Sequence, residues 1–256
     1  MKTRVQTAMI ALALLMTAGC ATVPRDPAAR AEFVANHDPL EPLNRDIFAF
    51  NLGVDRVLIK PLAKGYRNVL PQKARDAVRH FLDNLNEPLV LANCVLQARF
   101  KSAATAGGRF VVNSTLGVGG LADVAAGWKM PKQTGDFGQT LWAWGVEDGP
   151  YLIVPVFGPE TPRDGIGEGV DVFFDPLDYL FRNIYIPGGF NAGRVIADGV
   201  DQRERNLDSL DVIQRESLDY YAAFRSLYRQ NRAAVLAGGK PSATLPQDNF
   251  YDDPGR

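Results

Sequence analysis

Few residues in this 256-residue chain have the types and spacing that catalysis or metal binding demands. Its two histidines, His37 and His80, form no His-Glu-x-x-His pair for zinc, and no Gly-x-Ser-x-Gly elbow presents a serine nucleophile. Gly117-Val118-Gly119-Gly120 follows a helical pattern and lacks the Lys-Ser/Thr of a phosphate-binding loop, so it reads as a turn. Asp171, Asp175 and Asp178 could face one way on a helix and gather oxygen ligands for a cation. Pro176 interrupts that helix, and capping is the simpler role. Glu147-Asp148 precedes Gly149-Pro150, where acidic residues suit a turn, and a general acid/base pair would need burial. The expectation is a protein without enzymatic activity, metal or cofactor.

One residue does point to covalent chemistry. Lys2 and Arg4 precede the apolar stretch Ala8 to Met16, and Thr17-Ala18-Gly19-Cys20 follows, in the order of an export signal. The apolar part falls short of the about 20 residues that span a bilayer. Small residues ending at a cysteine resemble the bacterial lipobox, so Cys20 is expected to be lipidated after removal of residues 1–19. Thr17 stands where a Leu is usual. Ala21, where Asp would retain a lipoprotein at the inner membrane, points to the outer membrane, with the protein anchored on its periplasmic side. With Cys20 taken by lipid, Cys94 alone cannot form an internal disulfide. Its apolar setting, Leu89 to Leu96, predicts burial.

The elements around these residues are mostly helical. Apolar residues make up 46% and charged ones 22% of the chain, which suits a folded core and not disorder. The net charge of −1 gives no basic excess for nucleic acid. Loss of Lys2 and Arg4 with the signal leaves 26 basic against 29 acidic residues, a net charge of −3. Beyond the signal no apolar run is long enough to span a membrane.

Leu43, Ile47, Phe50, Val54 and Val57 recur at helical spacing over residues 43–58, and Pro61 is expected to end that helix. Residues 72–85 repeat the pattern, with a second helix starting at Pro88 to complete a hairpin. Further helices are expected over 101–113, 136–144, 189–205 and 215–237. Tyr151 to Phe157 is the one strand candidate, demoted by Pro155 to an edge or an extended loop. The fold class expected is all-α, a single domain of amphipathic and hairpin helices. It occupies residues 38–239, after an anchor linker at 20–37 and before a disordered polar tail at 240–256. Periodicity alone leaves open whether the apolar stripes face a core or a membrane.

The motifs resemble the MlaA, or VacJ, phospholipid-transport lipoproteins of Gram-negative outer membranes. The resemblance begins at Asp38, Pro39, Asn44, Arg45, Asn51 and Asp55, and continues through Asn84, Glu87 and Pro88. It runs on through Asn113, Gly117, Gly120 and Asp123, then Phe137, Gly138 and Thr140, and then Gly149, Pro150, Tyr151, Arg163 and Asp164. His80 replaces an Asn common before Phe81.

The resemblance implies a ring-shaped monotopic fold in the inner leaflet of the outer membrane, surrounding an amphipathic channel. It also implies association with trimeric porins and with the periplasmic carrier MlaC, and a role in removing mislocalised phospholipids from the outer leaflet. A structural lipoprotein that only braces porins or the wall is the alternative. Trp142 and Trp144, two positions apart on a helix, are expected to point to nearly opposite sides, one of them to the membrane interface.

Overall fold

The computed structural model describes residues 38–177 and 189–238. The expectations for the signal at 1–19, Cys20 and the linker at 20–37, Asp178 and the tail at 240–256 therefore lie outside the described residues. Those described fall into two compact units, one of residues 38–54 and 148–162, the other of 55–147 and 163 onward.

In the first unit, helix α1 (Glu41–Val54) packs against strand β1 (Leu152–Val154), which pairs antiparallel with β2 (Gly158–Glu160). The register sets Leu152 opposite Glu160 and Val154 opposite Gly158. Pro155, Val156 and Phe157 form the turn, with Val156 at φ 72° and Gly158 at φ 98°. The expected extended segment thus becomes a short hairpin. Its second strand, Gly-Pro-Glu, has no strand-forming residue to announce it.

The apolar stripe of α1 does not form its buried face. Asn44 and Phe48 are buried, whereas Phe50 is 55% exposed and Leu43, Ile47 and Val54 are only partly covered.

The second unit opens with a π turn (Asp55–Ile59) and α2 (Lys60–Val69). Pro61 does not stop a helix here. It lies at the start of α2, directly after the π turn, in backbone that stays helical through Ile59. The predicted break at Pro88 is also absent, since α3 runs unbroken from Gln72 to Leu96 with Pro88 inside it. An interior proline costs about 3 kcal/mol in an isolated helix, and packing along α4 (Phe100–Thr115) offsets that cost here. The hairpin is therefore α3 with α4, joined by Gln97-Ala98-Arg99. A small apolar core of Val90, Cys94, Ala103 and Ala106 seals it, and burial pushes the Cys94 thiol up.

Short helices α5 (Val124–Gly127) and α6 (Phe137–Ala143) follow, capped by Asp123 and Asp136. The longer helices α7 (Pro162–Phe174), α8 (Gly189–Arg205), α9 (Leu207–Glu216) and α10 (Tyr220–Leu236) complete the unit. The expected helix over 215–237 is divided. Ser217 turns extended, and Asp219 caps α10 by accepting from Ala222 N at 3.1 Å. No described helix is long and apolar enough to cross a membrane.

Candidate functional site

Among the described residues the largest fully buried side chains are Asn44, Asn93, Thr140, Asp38, Asp175, Asp201 and Cys94, all but the last polar. Conversely Val57 is 79% exposed, with Leu58, Phe100, Val111, Trp128 and Phe173 also turned outward. Among the described residues the usual distribution of a water-soluble protein is thus partly inverted, although Leu82, Val90, Ile153 and Leu207 stay buried.

Helix α7 shows the inversion on a single element. Its inward face is Arg163, Asp164, Gly167 and Asp171, and Ile166, Val172, Phe173 and Phe174 face out. A buried polar side chain is tolerated only when its hydrogen bonds are made inside, so the interior must be a network.

In the first unit that network centres on Asn44. Its amide donates to Asp38 Oδ1 at 2.8 Å and to the Tyr151 carbonyl at 3.0 Å, and its oxygen accepts from Ile153 N at 2.9 Å. Asn51 does the same for the hairpin turn, bonding Val154 O and Val156 N. Two asparagines on α1 thus serve as extra strand partners for backbone groups that a two-stranded ribbon leaves open.

In the second unit Arg109 on α4 joins Glu87 on α3 to Asp123 at the start of α5, with contacts of 2.6 and 2.9 Å, and also donates to Met130 O. Asn113 donates to Asp123 Oδ1 and accepts from Ala125 N. Burial would raise the Asp123 carboxyl, but hydrogen bonds from Arg109 and Asn113 hold it below the usual range. For Glu87 burial prevails over the attraction of Arg109, and its carboxyl is pushed up. Asn84 donates to Ser114 Oγ at 2.9 Å, and its side chain presses on Gly120, which at φ 96° has no room for a Cβ.

A second cluster ties α6 down. Thr140 donates to Asn93, Asn93 donates to Asp171 Oδ1, and Asp171 Oδ2 accepts from Phe137 N at 2.8 Å. Beside it Arg232 on α10 clamps Asp136 and Asp164 with contacts of 2.7 to 2.8 Å, and Arg163 also holds Asp164. Against the cost of burial, these guanidiniums keep both carboxyls below the ordinary range. Arg232 itself is pushed above its ordinary value.

A third cluster links α2 and α3 to α8. Tyr66 and Arg79 reach the buried Asp201, Arg67 and Arg75 reach Glu204, and Arg203 pairs with Asp55 at 2.7 Å. Burial and the Asp201 charge push the Tyr66 phenol up to about 12.

A sequence profile of the MlaA lipoproteins matches residues 36–235 of this chain. The chain belongs to the MlaA lipoprotein family. It is 34% identical over 254 residues to the intermembrane phospholipid transport system lipoprotein MlaA of Escherichia coli strain K12, covering 95% of this chain and 96% of that one. The protein of the same name from Haemophilus influenzae is 32% identical over 219 residues, 83% of this chain and 85% of its own. A solved structure described as the structural basis for maintenance of bacterial outer membrane lipid asymmetry superposes with a TM-score of 0.68 at 33% identity. It covers 78% of this chain and 98% of that one.

Within the MlaA framework, most of the sequence-marked residues turn out to hold the interior together. Asp38, Asn44, Tyr151, Asn84, Glu87, Asn113, Asp123, Thr140, Arg163 and Asp164 all lie in the networks above, and Asp55 pairs with Arg203. Gly117, Gly120 and Gly149 make close or left-handed turns. A Cβ on Gly138 would stand 2.6 Å from both Asp164 and Arg232. Arg45 pairs with Glu41 along α1.

Trp142 and Trp144 are both about half exposed. Trp144 donates its indole N–H to Leu96 O at 3.2 Å and packs edge-on against Phe137, whereas Trp142 is given no such partner among the described residues. The aspartate trio expected to favour capping does so in part. Asp175 accepts from Leu177 N and pairs with Arg194 at 2.7 Å, while Asp171 braces α6. Among the described residues no three His, Cys, Asp or Glu side chains could hold a metal ion together. Sequence reasoning missed Arg232, whose partners lie 96 and 68 residues away, so no local spacing marks it.

Proposed function

We propose that this chain is an outer-membrane lipoprotein of an intermembrane phospholipid transport system. It takes mislocalised phospholipids from the outer leaflet and passes them to a periplasmic carrier, MlaC in the family, and so maintains the lipid asymmetry of the outer membrane.

The inverted distribution carries this reading. In water each large apolar side chain left out costs about 1.5–3 kcal/mol of burial not gained, so a chain exposing this many suits a lipid surround. A core of satisfied asparagines, carboxylates and guanidiniums keeps such helices folded when acyl chains surround them. A charged head group cannot cross hydrocarbon unshielded without a cost of several kcal/mol, and an amphipathic path past polar groups lowers that cost. Lipidated Cys20 anchors the protein to the inner leaflet, Trp142 meets the interface, and trimeric porins hold the assembly in place.

Transport requires no bond cleavage, so lipid leaves unchanged. Depleting the protein and measuring surface-accessible phospholipid tests the proposal: a rise is expected. An unchanged outer leaflet together with weakened porin or wall attachment would instead establish the bracing role.

A further inference from the structure

We propose that the π turn and α2 form a basic interfacial helix that lies on an anionic phospholipid leaflet, with its apolar row among the acyl chains and Arg56, Lys64 and Lys73 at the phosphates. This rests on the lipid-transport reading and names the element and the class of lipid through which this chain meets the membrane.

The charge of this segment departs from that of the chain. Lysine and arginine number 28 overall and aspartate and glutamate 29, yet residues 56–75 hold Arg56, Lys60, Lys64, Arg67, Lys73 and Arg75 and no Asp or Glu. The bordering acids are taken up, Asp55 by Arg203 at 2.7 Å and Asp76 by Arg79 at 3.5 Å.

Folding divides the six cations by direction. Lys60 Nζ meets Asp211 at 2.7 Å, and Arg67 Nε and Arg75 Nε lie 2.8 and 3.5 Å from Glu204. Arg56, Lys64 and Lys73 are exposed, and among the described residues no carboxylate pairs with them.

The same backbone sorts the apolar residues. Ala63 is fully buried where α2 packs on α8, and Tyr66 reaches across to Asp201. Leu58, Leu62, Gly65 and Val69, at spacings of four, three and four, form the outward row. Val57 is 79% and Val69 78% exposed, Leu58 and Leu62 are half exposed, and a Cβ on Gly65 would meet nothing within 4 Å. Lys64 falls on the adjoining row, with Val57, Pro61 and Asn68.

An apolar row bordered by cations has the chemistry of a helix lying in a leaflet. Acyl chains take the row, while lysine and arginine stems run along it and keep their charged heads at the level of the phosphates. A zwitterionic leaflet answers only the apolar row. Three unpaired cations call for net negative charge, which phosphatidylglycerol supplies.

The test uses the full-length lipidated protein in vesicles of equal phosphatidylglycerol and phosphatidylethanolamine. Leu62→Trp provides the one indole, with Trp128, Trp142 and Trp144 replaced by Phe, and bromine is placed on the acyl chains of one lipid at a time. Quenching should report phosphatidylglycerol enriched about fivefold at this position, the effect of one cation at an anionic surface. Arg56→Gln, Lys64→Gln and Lys73→Gln together should make the two lipids quench alike, and Lys64→Arg alone should keep the preference. Raising salt to about 1 M should erase it with the cations unaltered, since charges are then screened within about 3 Å. A melting temperature for each variant separates misfolding from lost recognition. Equal quenching by the two lipids before the cations are changed, or a preference that survives the triple change, would overturn the proposal. An indole in Leu62→Trp that neither lipid quenches, beside a quenched Trp142 in the chain that keeps it, would show a protein partner covering α2 and would also overturn it, leaving lipid transport standing. Quenching at neither position would overturn the lipid surround on which the transport reading rests.

Discussion

A Cβ built on Gly167 would collide with the backbone nitrogen of Gly138 and come within 2.8 Å of its Cα, so α7 and α6 touch backbone to backbone. This contact lets Asp164 and Asp171, one turn to either side of Gly167 on α7, reach Arg232, Asn93 and the first turn of α6. Gly167→Ala should cost about 1–3 kcal/mol, a fall of roughly 3–10 °C in Tm. Gly169→Ala, on the same helix with nothing within 4 Å, should be neutral or slightly stabilising. Thermal melts of both in detergent check the contrast, and equal losses would refute the contact.

Arg109→Met should destabilise by about 3–5 kcal/mol, because it strands the buried Glu87 without its Arg109 contact. Adding Glu87→Met should recover a large part of that loss, since a buried ion pair replaced by apolar groups is often neutral. Urea unfolding of the single and double variants measures the coupling. A double variant weaker than either single one would contradict it.

Asp136 and Asp164 sit below the ordinary carboxylate range, and that fixes the sign of one pH effect. Their contribution is complete above the unfolded carboxylate pKa of about 3.9 and is lost as pH falls through their lower folded values. The melting temperature should therefore drop in acid below about pH 4. Arg232→Gln should lower Tm at neutral pH and flatten that drop, and melts across the acid range report both.

Trp144 is tied to Leu96 and Phe137, while Trp142 is half exposed without such a partner among the described residues. Single-Trp variants that also lack Trp128, reconstituted with brominated phospholipid, should show stronger quenching of Trp142 than of Trp144. Quenching of neither would place α6 away from lipid.

Cys20→Ala should abolish the lipid anchor, since stable attachment takes at least two acyl chains on that residue. Intact mass of the mature wild-type chain should begin at Cys20 and carry the acyl groups. An unmodified cysteine there would remove the basis for the anchor.

Helices α4, α6 and α8 were legible in the sequence because apolar spacing, acidic caps and terminal glycines are local signals. The strand at Leu152 to Val154 was legible for the same reason. Local signals misled at Pro61 and Pro88, where the same residue that breaks one helix starts or interrupts another without ending it. They did not delimit α7, whose inward face is Arg163, Asp164, Gly167 and Asp171 and resembles no core stripe.

For the candidate site, motif resemblance singled out Asn84, Glu87, Asn113 and Asp123 but gave no partner for any of them.

The sequence by itself determined the helical class and the family, because each depends on composition or on neighbours a few residues apart. The tertiary structure decided which face of each amphipathic helix turns inward. A helical wheel reports only that two faces differ, and the sign of the preference belongs to the surroundings. Here polar side chains share the buried faces because Asn44 meets Ile153 and Tyr151, Arg109 meets Glu87, and Arg232 meets Asp136 and Asp164. Most of those partners lie far apart in the chain and meet only when it is folded.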